Sequence, residues 1–507
     1  AVAAVLAAVA GIAVGQLVAA VVVPSAAPVL AVGSVVIDAT PTPVKEWAVS
    51  TFGTSDKAVL LGSVTLVTLA LAAGIGRVAR RRRTVGLVLL VALASLAGLA
   101  ALTRPDASTL AIVPALATAL TGPVSASQLW RRADGWMEAD GWAGSGGPDG
   151  RLATGRRTFL NGALGVGAVA VAGGVGARAL SASNQAAAAA AAVRLPTPAH
   201  TLPALPTGLE AKDRAISALV TPNADFYRID TALSVPSVDV AGWTLTIDGS
   251  VDHPLTVRWA ELLAMPMVEA DITLCCVSNE VGGDLISSAR WTGVRTRDLL
   301  ARAGIRAGVD QILSTSVDGM TISTPVQALT DDRDALVAVA MNGVALPPAH
   351  GFPARLVTPG LYGFTGATKW LARMTATTYA AAPAYWTERG WAVDAPVITQ
   401  SRIDTPRAGS RLVSGPVVIG GVAWAQHRGI LGVEVRVDDG PWQRATLGPD
   451  AGIDYWRQWY LVWDAAPGSH TLSVRATDNT GALQVEAPTD VLPRGATGWH
   501  TVSVSVS

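Results

Sequence analysis

The sequence has little charge, few aromatic side chains and almost no cysteine. Only 15% of its 507 residues are charged, and 38 basic residues balance 38 acidic ones, which excludes the net positive field of a nucleic-acid-binding protein. Two cysteines are too few for a disulfide scaffold. Half of the residues are hydrophobic, which excludes a disordered chain. These proportions indicate that part of the chain lies in a membrane.

Long uncharged runs are concentrated in the N-terminal third of the chain. Each has room for the ~20 residues that a helix needs to cross the hydrocarbon core of a bilayer. Gly and Pro interrupt some of these runs, which membrane helices tolerate. We predict five spans, with four as the alternative count, in the stretches 1–37, Ala58–Gly76, Thr84–Thr103, Ala107–Trp130 and Thr158–Ala177.

The basic residues predict the orientation of these spans. Ten arginines lie in or beside the connections after the second span and before the fifth, whereas the opposite loops hold only Lys45, Lys57 and Arg104. The positive-inside rule places the arginine-rich loops in the cytoplasm. Five spans then predict a multi-pass protein of the cell membrane with everything after Ala177 outside. The run that begins at Arg156 and Arg157 resembles a twin-arginine export signal.

The rest of the chain divides into three parts. Residues 183–207 contain seven consecutive alanines and repeated prolines, which predict a semi-rigid linker after a helical membrane region at 1–182. Residues 208–385 mix alternating segments such as Trp243–Gly249 with helical spacing closed by Gly304, which predicts an α+β domain. Residues 386–507 contain short, regularly spaced strands with Asp-Gly and Asn-containing turns, which predict an all-β sandwich.

The two cysteines are adjacent, at Cys275 and Cys276. Neighbouring side chains on a strand point to opposite faces, and a disulfide between them would be strained. The six histidines are scattered, so a zinc site of Cys and His ligands is not favoured. One cysteine therefore fits a buried, hydrophobe-like position. The other is open to a role as a single-thiolate metal ligand or as a nucleophile.

Several motifs occur in a fixed order between residue 209 and the C-terminus. TLCCVSNEVGGDLISSARWTGV contains Cys-x-x-Asn before x-Trp-x-Gly-Val, and AHGFPARLVTPGLYGFTGATKWLARM follows it. NADFYRIDTALSVPSVDVAGWTLTIDG precedes both, and DGMTISTPVQAL and VAMNGVALPPAHG lie between them. This order resembles the sulfite oxidase family of molybdenum enzymes. The C-terminal sandwich resembles that family's immunoglobulin-like dimerisation domain.

The resemblance implies a molybdenum–molybdopterin cofactor held by one protein thiolate, a soft ligand that suits such a metal. The Cys-x-x-Asn motif makes Cys276 the metal ligand and places Asn279 beside it. Arg228 and Arg355 would bind cofactor phosphate or orient an oxygenated substrate, so that Cys276 and these two arginines are the expected catalytic residues. The cofactor-binding residues that the resemblance implies are Asn223, Tyr227, Arg228, Cys276, Asn279, Thr315, His350, Arg355, Gly366, Ala367, Thr368 and Lys369. The last four match the family's phosphate-binding turn.

The sequence departs from the family at the substrate side of the site. Glu280 and Val281 stand where sulfite oxidases have two arginines, and Met320 stands where they have a tyrosine. The closing turn GFTGATKW is most similar to the family's periplasmic methionine-sulfoxide reductases, whose substrate is uncharged. The sequence contains no Cys-x-x-Cys-His motif for haem c, and the predicted spans contain no histidine. Electrons would therefore pass through a separate partner, a haem protein or a quinone-linked subunit.

Together these features predict a membrane-anchored, molybdopterin-dependent oxidoreductase that transfers an oxygen atom with two electrons on the outer face of the membrane. Its substrate would be a small molecule or a sulfoxide, and it could dimerise through the sandwich. A sulfoxide reductase of the same family is one alternative, and a membrane-anchored binding protein without cofactor is another. A transporter is disfavoured because the spans lack buried charges, and no nucleic-acid partner is expected.

Overall fold

The computed structural model describes residues 1–52, 55–104, 107–143, 161–168, 170–174, 176 and 182–507. The described chain forms two compact units. The first comprises Ala1–Ala188 with Ala232–Ser237, and the second comprises Ala189–Thr231 with Val238–Ser507. The first unit is helical. The second contains all of the strands in the described part of the chain.

Helices of the first unit follow the apolar runs of the sequence, because a helix satisfies its own backbone polar groups where water is excluded. They are α1 (Val2–Val22), α2 (Pro28–Ala39), α3 (Thr42–Phe52), α4 (Asp56–Val78), α5 (Arg83–Leu102), α6 (Val113–Ala143), α7 (Asn161–Gly174) and α8 (Ala182–Ala192). Small residues of α1 and α6 meet closely: a Cβ on Gly11 would lie 3.1 Å from the Thr118 carbonyl oxygen. Such close approach is typical of membrane helix pairs.

Four helices are long and apolar enough to cross a membrane, at Val2–Val22, Asp56–Val78, Arg83–Leu102 and Thr109–Asp134. These agree with the first four predicted stretches, although the stretch 1–37 breaks near Pro24 and Pro28 into α1 and α2. The count of five is not confirmed among the described residues. The two export-signal arginines, Arg156 and Arg157, and the first three residues of the fifth stretch lie outside them. Its described helix, α7, is shorter than a span.

The alanine run differs from the expected spacer. It forms α8, because alanine has the highest helix propensity of all residues. Ala190 is buried in a cluster with Phe226 and Trp291. The end of this helix, from Ala189 on, belongs to the second unit and is packed in that unit's core, and the residues after it are extended.

Two sheets form the first half of the second unit. One has the order β3-β4-β7-β8, with β9 also pairing with β7, and the other has the order β2-β1-β10-β5-β6. The strands are β1 (Thr244–Gly249), β2 (Leu255–Arg258), β3 (Val268–Cys275), β4 (Ile286–Arg295), β5 (Gln311–Ser316), β6 (Thr321–Pro325), β7 (Leu336–Met341), β8 (Val344–Ala345), β9 (Arg355–Val357) and β10 (Leu371–Thr377). Short helices connect them: α9 (Trp259–Leu263), α10 (Thr296–Ala303), α11 (Val326–Thr330) and α12 (Gly363–Gly366).

Local sequence signals explain several of these elements. The alternation in Trp243–Gly249 buries Leu245 and Ile247 on one face of β1, as a half-buried strand requires. Helix α10 ends where Gly304 adopts φ of +69°, a left-handed conformation that glycine adopts without a Cβ penalty. The predicted strand and the predicted glycine stop are both confirmed.

Two further sheets form the C-terminal half, which is confirmed as all-β. Their orders are β11-β13-β17-β16 and β12-β19-β18-β14-β15. The strands are β11 (Gln400–Thr405), β12 (Arg411–Leu412), β13 (Gly415–Trp424), β14 (Ile430–Val437), β15 (Gln443–Arg444), β16 (Thr446–Leu447), β17 (Arg457–Ala465), β18 (Gly468–Asp478) and β19 (His500–Val506). Their inner faces enclose one core that contains Trp459. The immunoglobulin-like assignment of this sandwich stays a prediction.

The two halves of the second unit share a buried cluster. Cys275 and Tyr362 from the first half pack with Trp424 and Trp456 from the sandwich. The Trp456 indole also donates to the Leu219 carbonyl at 2.8 Å, and its backbone N–H donates to the Thr273 hydroxyl at 2.8 Å. The sandwich is therefore fixed against the end of β3, where the two cysteines lie.

Candidate functional site

The two cysteines occupy different environments at the end of β3. Cys275 is the last residue of the strand, opposite Ile286, and belongs to the shared hydrophobic cluster. Its thiol donates to the Cys276 carbonyl oxygen at 3.4 Å. Cys276 is the first residue of the segment Cys276–Leu285, which we call the Cys276 loop. The structure thus places Cys275 in the core and Cys276 at a turn.

The surroundings of Cys276 favour a thiolate more than those of Cys275 do. Burial raises the pKa of both thiols, and for Cys275 it does so strongly. At Cys276 this rise is opposed by hydrogen bonds from the backbone and side chain of Ser278, by the Lys369 charge and by the Val277 N–H. Donors directed at a sulfur stabilise its anionic form. Cys276 is therefore the better position for a thiolate ligand.

Hydrogen bonds within the Cys276 loop fix its shape. The Cys276 N–H donates to the Leu285 carbonyl at 2.9 Å, and the Asn279 N–H donates to the Cys276 carbonyl at 3.1 Å. The Asn279 side-chain oxygen accepts the Leu285 N–H at 2.8 Å, and the side chain is buried. Asn279, expected to contact a cofactor, uses its oxygen to close the loop. The structure thus places the Asn279 side-chain oxygen among the hydrogen bonds that close the Cys276 loop.

The sandwich supplies the outer contacts of this loop. Arg402 of β11 donates to the Gly283 carbonyl at 2.8 Å, and to Asp404 and Ser217 at 2.6 and 2.9 Å. Gly282 has φ of +78°, and a Cβ there would overlap the ring of His500. The motifs did not predict Arg402 or His500, which lie more than a hundred residues away from the loop. The Gly-Gly pair at 282–283 was the local signal of a close approach.

Arg355, which begins β9, is buried beside Trp291 of β4. Its guanidinium carbon lies 5.0 Å from the centroid of the Trp291 ring, and Nη1 donates to the His350 carbonyl at 3.1 Å. Burial lowers the pKa of Arg355 to about 10. Its Nε is buried without an acceptor. The protein therefore holds an incompletely bonded cation here, a feature that calls for an explanation.

His350 and Asn223 belong to one hydrogen-bond network. His350 Nε2 lies 3.0 Å from the Asn223 carbonyl oxygen, and burial together with the Arg355 charge lowers the pKa of His350 to about 4. The imidazole is therefore neutral at pH 7. The Asn223 side chain bonds to Asn342 at 2.8 Å and to the Met341 carbonyl at 3.2 Å. The motifs predicted His350 and Asn223 but not Asn342.

Lys369 and Arg228 meet at a carboxylate that the motifs did not single out. Asp230 Oδ2 accepts from Lys369 Nζ and from Arg228 Nε, both at 2.8 Å. The Asp230 side chain is 2% exposed, whereas that of Arg228 is 42% exposed. Burial lowers the pKa of Lys369 to about 8, against the opposing charge of Asp230. The two cations expected to bind phosphate are thus already paired with an anion of the protein.

Tyr227 lies beside the end of β3. Its ring stacks on Phe226 at 5.4 Å, and burial and the neighbouring cysteines raise the pKa of its hydroxyl well above the usual value. A Cβ on Gly363 would lie 3.6 Å from the Tyr227 hydroxyl and 3.7 Å from the Cys275 carbonyl oxygen. Tyr227 is therefore a protonated phenol next to the cysteines.

The expected phosphate turn follows α12. Thr368 is buried, bonds to Ser314 at 2.6 Å through its hydroxyl, and accepts the Leu356 N–H at 2.8 Å. Gly366 lies against Thr358, where a Cβ would come within 3.0 Å of the threonine Cβ, and Ala367 is buried next to it. Thr315 is the strand neighbour of Ser314 and pairs with Arg373 of β10. The turn is thus held between β9 and β5.

The residues fit a polar group with one thiolate attachment. Among the described residues, no group of three or more His, Cys, Asp or Glu side chains could hold a metal by itself. Buried polar atoms without a protein partner lie on the same elements as the predicted site: Arg355 Nε, Thr358 Oγ1 and Ser316 Oγ. A pterin, which offers many hydrogen-bond donors and acceptors, would satisfy such atoms. The donor set therefore suits a metal carried by its own organic ligand.

Comparisons with known proteins agree with this donor set. The profile of a family described as oxidoreductase molybdopterin binding domain matches residues 232–386. The chain is 31% identical to human mitochondrial sulfite oxidase over 344 residues, which cover 57% of this chain and 62% of the human protein. It is 30% identical to chicken sulfite oxidase over 338 residues, which cover 55% of this chain and 72% of the chicken protein. The chain belongs to the sulfite oxidase family.

Members of this family are molybdopterin-dependent oxidoreductases, so the cofactor expected from the motifs is the one the family implies. Among solved structures, the sulfane dehydrogenase SoxCD from Paracoccus pantotrophus is similar with a TM-score of 0.49 and 24% identity, and it covers 58% of this chain and 85% of that one. This chain spans 62% of the length of the human sulfite oxidase that it matches. The similarity therefore covers only part of that protein.

Proposed function

We propose that this protein is a membrane-anchored oxidoreductase that transfers an oxygen atom, with two electrons, at a molybdenum held by Cys276. The observation that carries this proposal is the contrast between the two cysteines. Cys276 lies in a turn where polar groups of Ser278 and Val277 and the Lys369 charge oppose the rise in its thiol pKa, whereas Cys275 lies in the hydrophobic cluster. One thiolate is the single protein ligand that this class of cofactor requires, because the pterin supplies the other sulfur ligands.

The residues around Cys276 have separable tasks in this proposal. The bound group would supply the oxygen-atom transfer chemistry through the two-electron redox change of its metal. Arg355 would donate one hydrogen bond from its unpaired Nε to the pterin or to an oxygenated substrate. His350 would act as a neutral donor or acceptor, since its pKa of about 4 excludes the charged form at pH 7. Tyr227 would hold its proton beside the cysteines.

Asp230 is the feature that tests the phosphate assignment. It pairs with both Lys369 and Arg228, so a phosphate bound by these cations would lie beside a carboxylate. Two arrangements fit the charges. In the first, the phosphate replaces Asp230 as the partner of the more exposed Arg228. In the second, Lys369 stays paired with Asp230 and backbone N–H groups of the turn Gly366–Thr368 bind the phosphate. We favour Arg228 as the phosphate ligand, because its side chain is 42% exposed whereas that of Lys369 is 11% exposed.

A second candidate reaction is sulfoxide reduction by the same site. Glu280 and Val281 occupy the Cys276 loop at the positions where the family resemblance expects two arginines. A carboxylate at the site disfavours sulfite or nitrate, whereas an uncharged sulfoxide is not repelled. Electrons would then come from a separate redox partner, and the sandwich could mediate a homodimer.

The metal assignment is tested with two matched cysteine variants. We expect stoichiometric molybdenum and pterin in the purified full-length protein and in Cys275→Ser, whereas Cys276→Ser should lose the metal. Cys275→Ser controls for the loss of a thiol at the same strand end and should mainly reduce stability, because that thiol is in the hydrophobic cluster. Molybdenum retained in Cys276→Ser and lost in Cys275→Ser would contradict the proposal. Turnover of sulfite against methionine sulfoxide then distinguishes the two reactions.

The outer-face location depends on the segment Thr158–Ala177. The positive-inside rule places the N-terminus in the cytoplasm. The four helices that are long enough to span would return the chain to that side, so an exterior catalytic unit needs a fifth crossing. We propose that Thr158–Ala177 is that crossing. A C-terminal alkaline phosphatase fusion should be active in the intact protein and inactive when 158–177 is deleted. A C-terminal fluorescent protein should show the opposite pattern. Phosphatase activity that persists after the deletion would refute this topology.

A further inference from the structure

The outer face of the sandwich carries a polar cavity whose lining includes neither cysteine. It measures about 300 Å³ and is lined by residues of β14, β18 and β19 and of the segment that leads into β19. Arg436, Ser473 and Thr501 are direct cross-strand neighbours in one row of this sheet. Their side chains therefore face the same space, with the two hydroxyls 3.0 Å apart.

Arg436 is the unusual member of this row. Within the described residues, no carboxylate lies within ion-pair distance of its guanidinium, and its Nε is buried without an acceptor. The neighbouring Arg475, by contrast, is paired with Glu434 at 2.9 Å. Arg436 is instead held by aromatic rings: its guanidinium lies 4.9 Å from the Trp442 centroid and 5.7 Å from the Trp499 centroid. Stacking leaves the in-plane N–H groups of a guanidinium available to an acceptor.

The remaining lining residues define the charge of an acceptor that fits. Glu486 also lines the cavity, so a doubly charged anion would meet about twice the repulsion that a singly charged one meets. The Ser473 and Thr501 hydroxyls are hydrogen-bonded to each other, so one of the two can donate to a ligand oxygen. We propose that this cavity binds a singly charged oxyanion group, with Arg436 as its main ligand and the hydroxyl pair as a secondary donor.

The position of the cavity gives such a ligand a neighbour in the Cys276 loop. Val281 lines the cavity, and a Cβ on Gly498 would lie 3.3 Å from its Cγ2 atom. A bound oxyanion would therefore lie against the loop that presents Cys276. The binding itself does not require molybdenum or turnover.

Calorimetric titration of the purified full-length protein tests the proposal, with acetate as a carboxylate probe and sulfate as an inorganic, doubly charged probe. We expect acetate to bind and Arg436→Met to weaken it about tenfold or more, because a charged hydrogen-bond donor is lost. Thr501→Val, which keeps the shape, should weaken acetate about threefold. Arg444→Met removes an exposed arginine of β15 outside the cavity and should bind as the wild type does.

Sulfate should bind more weakly than acetate. Glu486→Gln should reduce the difference between the two affinities, because it removes the carboxylate that repels the anions. Stronger binding of sulfate than of acetate by the wild type would identify an inorganic oxyanion and overturn the assigned charge. Equal acetate binding by Arg436→Met and the wild type, or no binding by the wild type at millimolar concentrations, would overturn the site. Should Arg436→Met fail to fold, an unchanged acetate affinity in Thr501→Val with Ser473→Ala would overturn it equally.

Discussion

Replacement of Arg355 by methionine should separate cofactor binding from stability. The guanidinium is 5% exposed, and none of the described carboxylates forms an ion pair with it. Burial lowers its pKa from 12.5 to about 10. One pH unit of pKa displacement corresponds to about 1.4 kcal/mol, so holding this charge in the fold costs about 3 kcal/mol. A methionine of similar length removes that cost.

This gain is offset by contacts that disappear with the charge. The hydrogen bond from the charged guanidinium to the His350 carbonyl contributes about 1.5–3 kcal/mol, and the stacking on Trp291 contributes up to about 2 kcal/mol. We therefore expect the free energy of unfolding of Arg355→Met, made in cells that cannot synthesise molybdopterin, to lie within about 2 kcal/mol of the wild-type value. In cells that make the cofactor, the same variant should contain less pterin, because the free Nε is lost.

Arg290→Met is the matched control with a larger expected loss of stability. Arg290 is also partly buried, but it pairs with Asp271 at 2.7 Å, and the Asp271 side chain is 8% exposed. Removing one partner of such a pair costs about 3–5 kcal/mol, because a buried charge is left unpaired. Thermal unfolding of the two cofactor-free variants compares their losses of stability. If Arg355→Met is destabilised as much as Arg290→Met, the inference that Arg355 awaits a ligand is refuted.

Two further predictions concern the loop and the lysine. Gly282→Ala and Gly308→Ala both place alanine at positive φ, but only the Cβ at position 282 would overlap a neighbour, the His500 ring. We therefore expect Gly282→Ala to lower the free energy of unfolding by about 1–3 kcal/mol more than Gly308→Ala does. Gly282→Ala should also release molybdenum. Partial recovery of stability in the double variant Gly282→Ala with His500→Ala would support this explanation. Equal losses of stability in Gly282→Ala and Gly308→Ala would argue against it. The folded pKa of Lys369, about 8, lies below its ordinary 10.5, so the unfolded chain binds more protons between these values. Stability should therefore rise with pH across this interval by about 3 kcal/mol from this group, and Lys369→Met should remove that rise in pH-dependent unfolding measurements.

Patterns within a few residues of the sequence were enough to predict β1 and the end of α10. Alternation over Trp243–Gly249 and the glycine stop at Gly304 depend on neighbours a few residues away, and the structure has both elements. The segment Ala186–Ala192 shows the limit of composition. Low complexity suggested a spacer, but helix propensity and one available apolar surface at Ala190 made part of it a packed helix.

Charges around the site could not be predicted in the same way. The sequence assigned Lys369 and Arg228 to phosphate, yet both bond to Asp230, which is 139 residues from Lys369 in the chain. Nothing in the local pattern distinguishes Asp230 from an exposed aspartate, because its burial results from the packing of two distant segments. Asn279 was identified by its motif, whereas its bond to the Leu285 N–H depends on how the loop closes.

The geometry of Cys276 depends on both halves of the second unit. Asn279 closes the Cys276 loop from within, but the Arg402 side chain and the His500 ring fix its far side, and both belong to the sandwich. Arg402 also bonds to Ser217, so one buried guanidinium connects the loop, the sandwich and the segment that precedes β1. Without the sandwich, the Gly283 carbonyl would lose its donor and Gly282 would lose the ring that confines it. The sandwich is therefore part of the structure that positions the Cys276 side chain.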